Sequence, residues 1–253
     1  MNALFSTNSV SLIALHGWGM NASVWAPVAN LLPSHIPFYA LDLPGHGICA
    51  DLAEASMPAM VQWLSQQFDG PCHLLGWSMG GLVAQAFALA HPERVASLSL
   101  VASTPSFVKR EGWSCGLEGE VLQQFSDNLQ NNQKATLRRF IALQFMGESA
   151  TAPLQKQLRN NVLAQLASEQ ALTLGLSWLQ HCDYREQLMD LPPQHWMFGG
   201  LDRLIPPTAG QAVVDLVPKA SVSYFDECGH APFMTQPERF TQQLLAFFDI
   251  ERA

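Results

Sequence analysis

The 253-residue chain has no apolar run approaching the ~20 residues that a membrane-spanning helix needs. Its opening, Met1 to Ser6, has neither the basic start nor the apolar centre of a secretory signal, so a cytoplasmic protein with no membrane partner is expected. Cysteine is scarce. The five residues at 49, 72, 115, 182 and 228 are odd in number, widely spaced and form no C-x-x-C, which points to neither a disulfide framework nor a zinc site. Basic residues are few, 13 Lys and Arg against 21 Asp and Glu, for a net charge of −8. Phosphate binding needs a basic face, so nucleic acid is not expected as a general partner. No repeat, low-complexity linker or cofactor motif is found. A monomer without cofactor or metal is expected.

What the chain has is 48% hydrophobic residues, ample for a sizeable core, in a strand and helix alternation. The organising stretch is Cys72 to Ala88. An apolar run ends at Leu75 and a helix-length run begins beside Met79, so Gly76-Trp77-Ser78-Met79-Gly80 turns strand into helix within five residues. This is the G-x-S-x-G pattern, a sharp turn that holds a serine hydroxyl out of the sheet. It sets the N–H of Met79 and a helix N-terminus near any oxyanion formed there. An ordinary Gly-rich turn with a capping Ser has the same five residues; the rest of the chain must decide.

Val10 to Leu15 reads as a buried strand running into His16-Gly17-Trp18-Gly19-Met20-Asn21. A Gly-rich loop after a strand is the place for a second oxyanion donor, assigned to the N–H of Trp18, with its indole as a wall of the acyl pocket. His16 is read as a brace for that loop, and Asp42 and His46, in Asp42 to Gly47, as groups that satisfy loop backbone. Helices are expected at 24–32, 57–68, 208–217 and 237–248, and strands at 38–41, 95–101, 195–198 and 221–225. Between them, 104–190 holds no convincing strand but four amphipathic helices, near 117–130, 133–146, 153–166 and 169–180. The expected architecture is an α/β fold with a mostly parallel sheet covered on both faces, 1–104 and 191–253, and an inserted helical cap, 105–190.

Ser78, Asp202 and His230 each fall in a loop after an expected strand, in the chain order Ser, Asp, His. His230 would take the Ser78 proton through one ring nitrogen while Asp202 holds the other N–H. Asp226 and Glu227 are rival acids, but they sit in the same loop as His230, too near in sequence to lie behind its ring. Trp77, Trp113, Trp178 and Trp196 are read as packing.

LHGWGMN, LDLPGHG, GWSMGG, HPERV, GLDRLIP and CGHAPF occur in order, and on these motifs the chain resembles the α/β-hydrolase superfamily over nearly its whole length. With HGWGMNASVW, LGWSMGGLVAQ, the VAS at 101–103, RFIALQFMG and the final GHAPF, it is similar to the pimeloyl-[acyl-carrier protein] methyl ester esterases of biotin synthesis. That resemblance implies a carboxylesterase that removes the methyl group from a pimeloyl chain on acyl-carrier protein. It also implies that Trp18 and Met79 hold the ester and that Phe140, Ile141, Ala142, Leu143 and Gln144 line the acyl chain.

Charge adds an observation of its own. Residues 133–165 carry Lys134, Arg138, Arg139, Lys156 and Arg159 against one acid, Glu148, a net +4 that leaves −12 for the rest of the chain. Lys134 and Arg138, and Lys156 and Arg159, are spaced to share a helix face, which would steer an acidic carrier protein or a phosphopantetheine phosphate. Two solvated faces are the plainer reading. The alternatives in function are a broad short-chain esterase or a C–C hydrolase of the same fold, and a ligand receptor on this scaffold. Dehalogenases and epoxide hydrolases of the fold use an Asp nucleophile, which Ser78 disfavours.

Overall fold

The computed structural model describes residues 10–149 and 151–250; the signal-sequence reading of Met1 to Ser6 lies outside the described residues. In chain order the elements are β1 (Ser11–Leu15), α1 (Ala26–Ala29), β2 (Phe38–Leu41), α2 (Met57–Ser65), β3 (Cys72–Trp77), α3 (Met79–Ala90) and β4 (Val95–Val101). Then follow α4 (Gly119–Asn131), α5 (Gln133–Gln144), α6 (Ala152–Ala164) and α7 (Glu169–His181). The chain closes with β5 (Gln194–Gly199), α8 (Ala209–Leu216), β6 (Ser221–Phe225), α9 (Pro232–Thr235) and α10 (Pro237–Ile250).

The strands form one parallel sheet in the order β2-β1-β3-β4-β5-β6. β3 and β5 are buried along their whole length, whereas β2 and β6, at the two edges, are mostly part-exposed. Continuous apolar central strands are what a parallel sheet covered on both faces requires. The chain runs from β1 outward to β2 and then back across β1 to β3. The order therefore reverses between β1 and β3, and the loops leaving their carboxyl ends, His16 to Asn21 and Ser78, meet in the resulting crevice.

Three boundaries differ from expectation by more than a residue or two, the first being that the helix expected over 57–68 ends at Ser65. β3 continues through Gly76 and Trp77, so the reversal is made by Ser78 alone. The helix expected over 24–32 is a 3-10 turn, Ala22–Trp25, followed by the single turn α1. Leu32 precedes Pro33, whose ring disfavours helical backbone before it. The four helices between β4 and β5 lie within two residues of expectation, and a 3-10 helix, Arg185–Asp190, and two isolated bridges, Val108 to Leu117 and Arg110 to Trp113, accompany them.

These helices bind the sheet layer through specific groups. The Trp18 indole N–H donates to the Leu172 carbonyl at 2.8 Å, and the Ser168 N–H donates to the Gly45 carbonyl at 2.8 Å. The Ser168 hydroxyl bonds the Asp51 carboxylate. Close packing accompanies them. A Cβ on Gly175 of α7 would stand 2.7 Å from both Met79 Sδ and Trp18 Cδ1, so only glycine lets α7 approach this near.

Candidate active site

Ser78 has φ 54° and ψ −119°, a conformation that costs a non-glycine residue free energy and persists only where the surroundings enforce it. Here they do. The Ser78 N–H donates to the Val101 carbonyl at 2.9 Å, and its carbonyl accepts from the Gly81 N–H and the Ser103 hydroxyl, each at 2.9 Å. Gly80 is required because a Cβ there would stand 2.4 Å from the Leu15 carbonyl oxygen, and at Gly76 it would meet Gly80 and Gly81 at 2.6 Å. Met79 is the first residue of α3, so its N–H lies in the turn of the helix that has no intrahelical acceptor.

His230 is held on every side but one. Its Nδ1 lies 2.7 Å from Asp202 Oδ2, and the other carboxylate oxygen accepts from the N–H groups of Leu204 at 2.8 Å and Ile205 at 3.0 Å. Asp202 therefore cannot swing away without abandoning two amides. The His230 carbonyl accepts the Trp77 indole N–H at 2.8 Å, and its N–H donates to the Gln144 carbonyl at 2.8 Å. The remaining atom, Nε2, is buried without a hydrogen-bond partner. His230 lines the same crevice as Ser78, but the two residues share no hydrogen bond. Such bonds are often long before substrate arrives. Asp226 and Glu227 are exposed in the turn after β6, and neither bonds the His230 ring.

The crevice is walled by Trp18, Phe107, Leu122, Phe125, Phe140 and Leu176 beside Ser78 and His230. Trp18 meets Phe140 edge to face, with ring centroids 4.9 Å apart. With a volume of only about 20 Å3, it is closed to an acyl chain as it stands. Next to it lies a groove of about 440 Å3, flanked by Arg139 and Arg203. Leu117, Phe125 and Leu204 line both, and so form the partition between them.

Of the segment expected to line an acyl chain, Phe140 lines the crevice and Leu143 the groove. Ile141 is buried in the core, Ala142 is exposed and lines neither, and Gln144 turns to the His230 loop. Lys134, Arg138, Arg139, Lys156 and Arg159 are all exposed, and among the described residues none of them is in an ion pair.

The residues set aside as structural behave so. His16 accepts the Leu43 N–H at 3.0 Å through Nε2, and its Nδ1 lies 2.8 Å from the Gly17 carbonyl. Burial, with the neighbouring His46, holds His16 well below the usual histidine range. Asp42 accepts the N–H groups of Ala22 and Ile48. The contacts of Trp77 and Gln144 with the His230 loop had no sequence signal, because each is made to backbone far away in the chain.

Residues 12–243 match the alpha/beta hydrolase family. The chain belongs to that family. It is 39% identical over 237 residues to the pimeloyl-[acyl-carrier protein] methyl ester esterase of Klebsiella pneumoniae subsp. pneumoniae, covering 93% of this chain and 92% of the relative. The protein of the same name from Nitrosomonas europaea is 38% identical, with 92% and 93% covered. Among solved structures, an esterase from Exiguobacterium antarcticum superposes with a TM-score of 0.87 at 23% identity, covering 94% of this chain and 91% of the other. The enol-lactonase of Burkholderia xenovorans gives 0.82 at 17%, covering 96% and 92%. At these identities the likeness is one of α/β-hydrolase fold. Among the described residues no helix is long and apolar enough to cross a membrane, and no group of three or more His, Cys, Asp or Glu is arranged to hold a metal.

Proposed function

We propose that the chain is a serine carboxylesterase acting on the methyl ester of a pimeloyl chain borne by acyl-carrier protein. The observation that carries this reading is His230. Its Nδ1 is paired with a buried carboxylate, its Nε2 has no partner, and the residue lines the crevice that contains a serine at a strained strand-to-helix turn. In this reading Ser78 Oγ attacks the ester carbonyl while His230 Nε2 accepts its proton, and Asp202 stabilises the imidazolium. The N–H groups of Met79 and Trp18 receive the oxyanion. His230 then protonates the departing methoxide, methanol leaves, and water activated by the same imidazole releases the free carboxylate from Ser78.

The substrate class is supported by the activity named for the relatives above and by two features of this chain. The crevice wall is apolar, as a methylene chain requires, and the adjoining groove carries Arg139 and Arg203 where an acidic carrier's arm would enter. Residues 105–190 act as a cap over the core formed by 1–104 and 191–253, and Leu117, Phe125 and Leu204 move to admit the chain. Lys134, Arg138, Arg139, Lys156 and Arg159 face the carrier. The test is hydrolysis of methyl pimeloyl-carrier protein beside free methyl pimelate esters. A markedly higher kcat/KM for the carrier-bound ester supports the reading, and equal values mark a broad esterase.

A further inference from the structure

The first turn after α5 reaches into the base loop. Gln144 ends α5 and its carbonyl takes the His230 N–H at 2.8 Å. Four residues on, Glu148 Oε1 accepts the N–H of Gly229 at 2.6 Å. Two successive amides of the loop are thus held from the helical layer, one by backbone and one by a carboxylate. A Cβ on Gly229 would stand 2.6 Å from the Gln144 oxygen and 2.9 Å from Glu148 Oε1, so the contact fills the space completely. The Glu148 carboxylate is half-buried, and burial pushes its pKa up. The sequence had marked Glu148 only as the one acid in a basic stretch.

We propose that Glu148 is a positioning residue for His230. By fixing the peptide that precedes the base, it keeps Nε2 aimed into the crevice while Asp202 holds Nδ1. The inference rests on His230 acting as the base for Ser78. What matters is the reach of an acceptor oxygen to the Gly229 N–H. Without it, that amide turns to water from the polar cavity of about 560 Å3 that Glu148 and Thr235 line, and the loop gains freedom without the fold being lost. A displacement of the order of 1 Å at a catalytic group lowers rate by up to about 100-fold.

The experiment compares wild type, Glu148→Ala, Glu148→Gln and Glu148→Asp on p-nitrophenyl butyrate, with kcat expressed per serine titrated by a fluorophosphonate. Ala is expected to lower kcat by about 10-fold or more at unchanged KM. Gln, whose amide oxygen still reaches Gly229, restores most of it. Asp, which keeps the charge on a shorter arm, behaves like Ala and serves in its place if Ala does not fold. Wild-type kcat per titrated serine in both Ala and Asp overturns the proposal, because the contact is then only structural. A Gln variant as slow as Ala overturns it too, since charge and not the accepted bond is then at work. A wild type that neither hydrolyses the ester nor is labelled at Ser78 overturns the triad reading itself, and the role of Glu148 with it.

Discussion

Trp77 and His230 are joined directly: the indole N–H of the last residue of β3 donates to the His230 carbonyl at 2.8 Å, across 153 positions of sequence. The strand that delivers Ser78 therefore also anchors the loop that delivers the imidazole. Ser78 follows Trp77 immediately, so the bond ties the backbone beside the serine to the backbone of the imidazole.

Trp77→Phe keeps most of the ring's packing against Phe233 and removes this bond. The His230 carbonyl then loses a buried donor, which costs about 1–3 kcal/mol of stability. We expect kcat for a small ester to fall by about 10-fold with KM little changed. Steady-state kinetics with urea unfolding checks both; an unaltered kcat in the folded variant would show that the bond does not set the geometry.

Stability should fall on the acid side through His195. Its Nε2 lies 2.9 Å from the Ser223 hydroxyl, its Nδ1 is buried without a partner, and burial lowers its pKa from 6.5 to about 4. The unfolded chain therefore takes up the proton first as pH falls. The contribution is fully present above pH 6.5 and is lost progressively toward pH 4, roughly 3 kcal/mol over the window. His16 and His46, also lowered by burial, act in the same direction. Glu148 acts in the opposite one, since a raised carboxyl pKa favours the folded state at low pH. Urea unfolding from pH 7 to pH 4.5 should show a shallower decline in His195→Gln than in wild type, and parallel declines would remove His195 from the account.

Reversing Arg138, Arg139 and Arg159 to Glu should raise KM for the carrier-bound ester and leave p-nitrophenyl butyrate nearly unaffected. All three are exposed, so the fold has little stake in them. The attraction acts over about 8 Å at physiological salt, so added salt should mimic the substitutions on the carrier substrate alone. Equal losses on both substrates would mean that the arginines support the helical layer. No loss on either would make the patch a solvated surface.

Much of this site was legible because strand ends are. Ser78, Asp202 and His230 each follow an apolar strand run closely, and a parallel sheet brings those ends to one edge. The Asp202 to His230 contact could be anticipated from chain order, and the closeness of Asp226 and Glu227 to His230 in sequence argued against either taking that place. The grip on His230 could not. Trp77 reads as one more core aromatic, and Gln144 acts through its backbone carbonyl, which any residue possesses. Helical periodicity likewise marks Leu122, Phe125 and Leu176 as an apolar face, but only the packing of α4 and α7 over Trp18 shows that the face covers Ser78. The five-residue turn contracted to one residue because strand pairing with β4 persists through Trp77 to Val101, and only the strained serine remains to reverse the chain.

The central claim is that Ser78 carries the acyl group, and the direct measurement is demethylation of methyl pimeloyl-carrier protein by wild type and Ser78→Ala side by side. Losing the nucleophile of a comparable triad lowers kcat by about 10⁶-fold, leaving only what the oxyanion site supplies. Wild type should therefore release methanol with turnover while Ser78→Ala, folded and with the same unfolding midpoint or a higher one, releases essentially none. Activity in Ser78→Ala above a few per cent of wild type, with contaminating esterase excluded, would contradict the account.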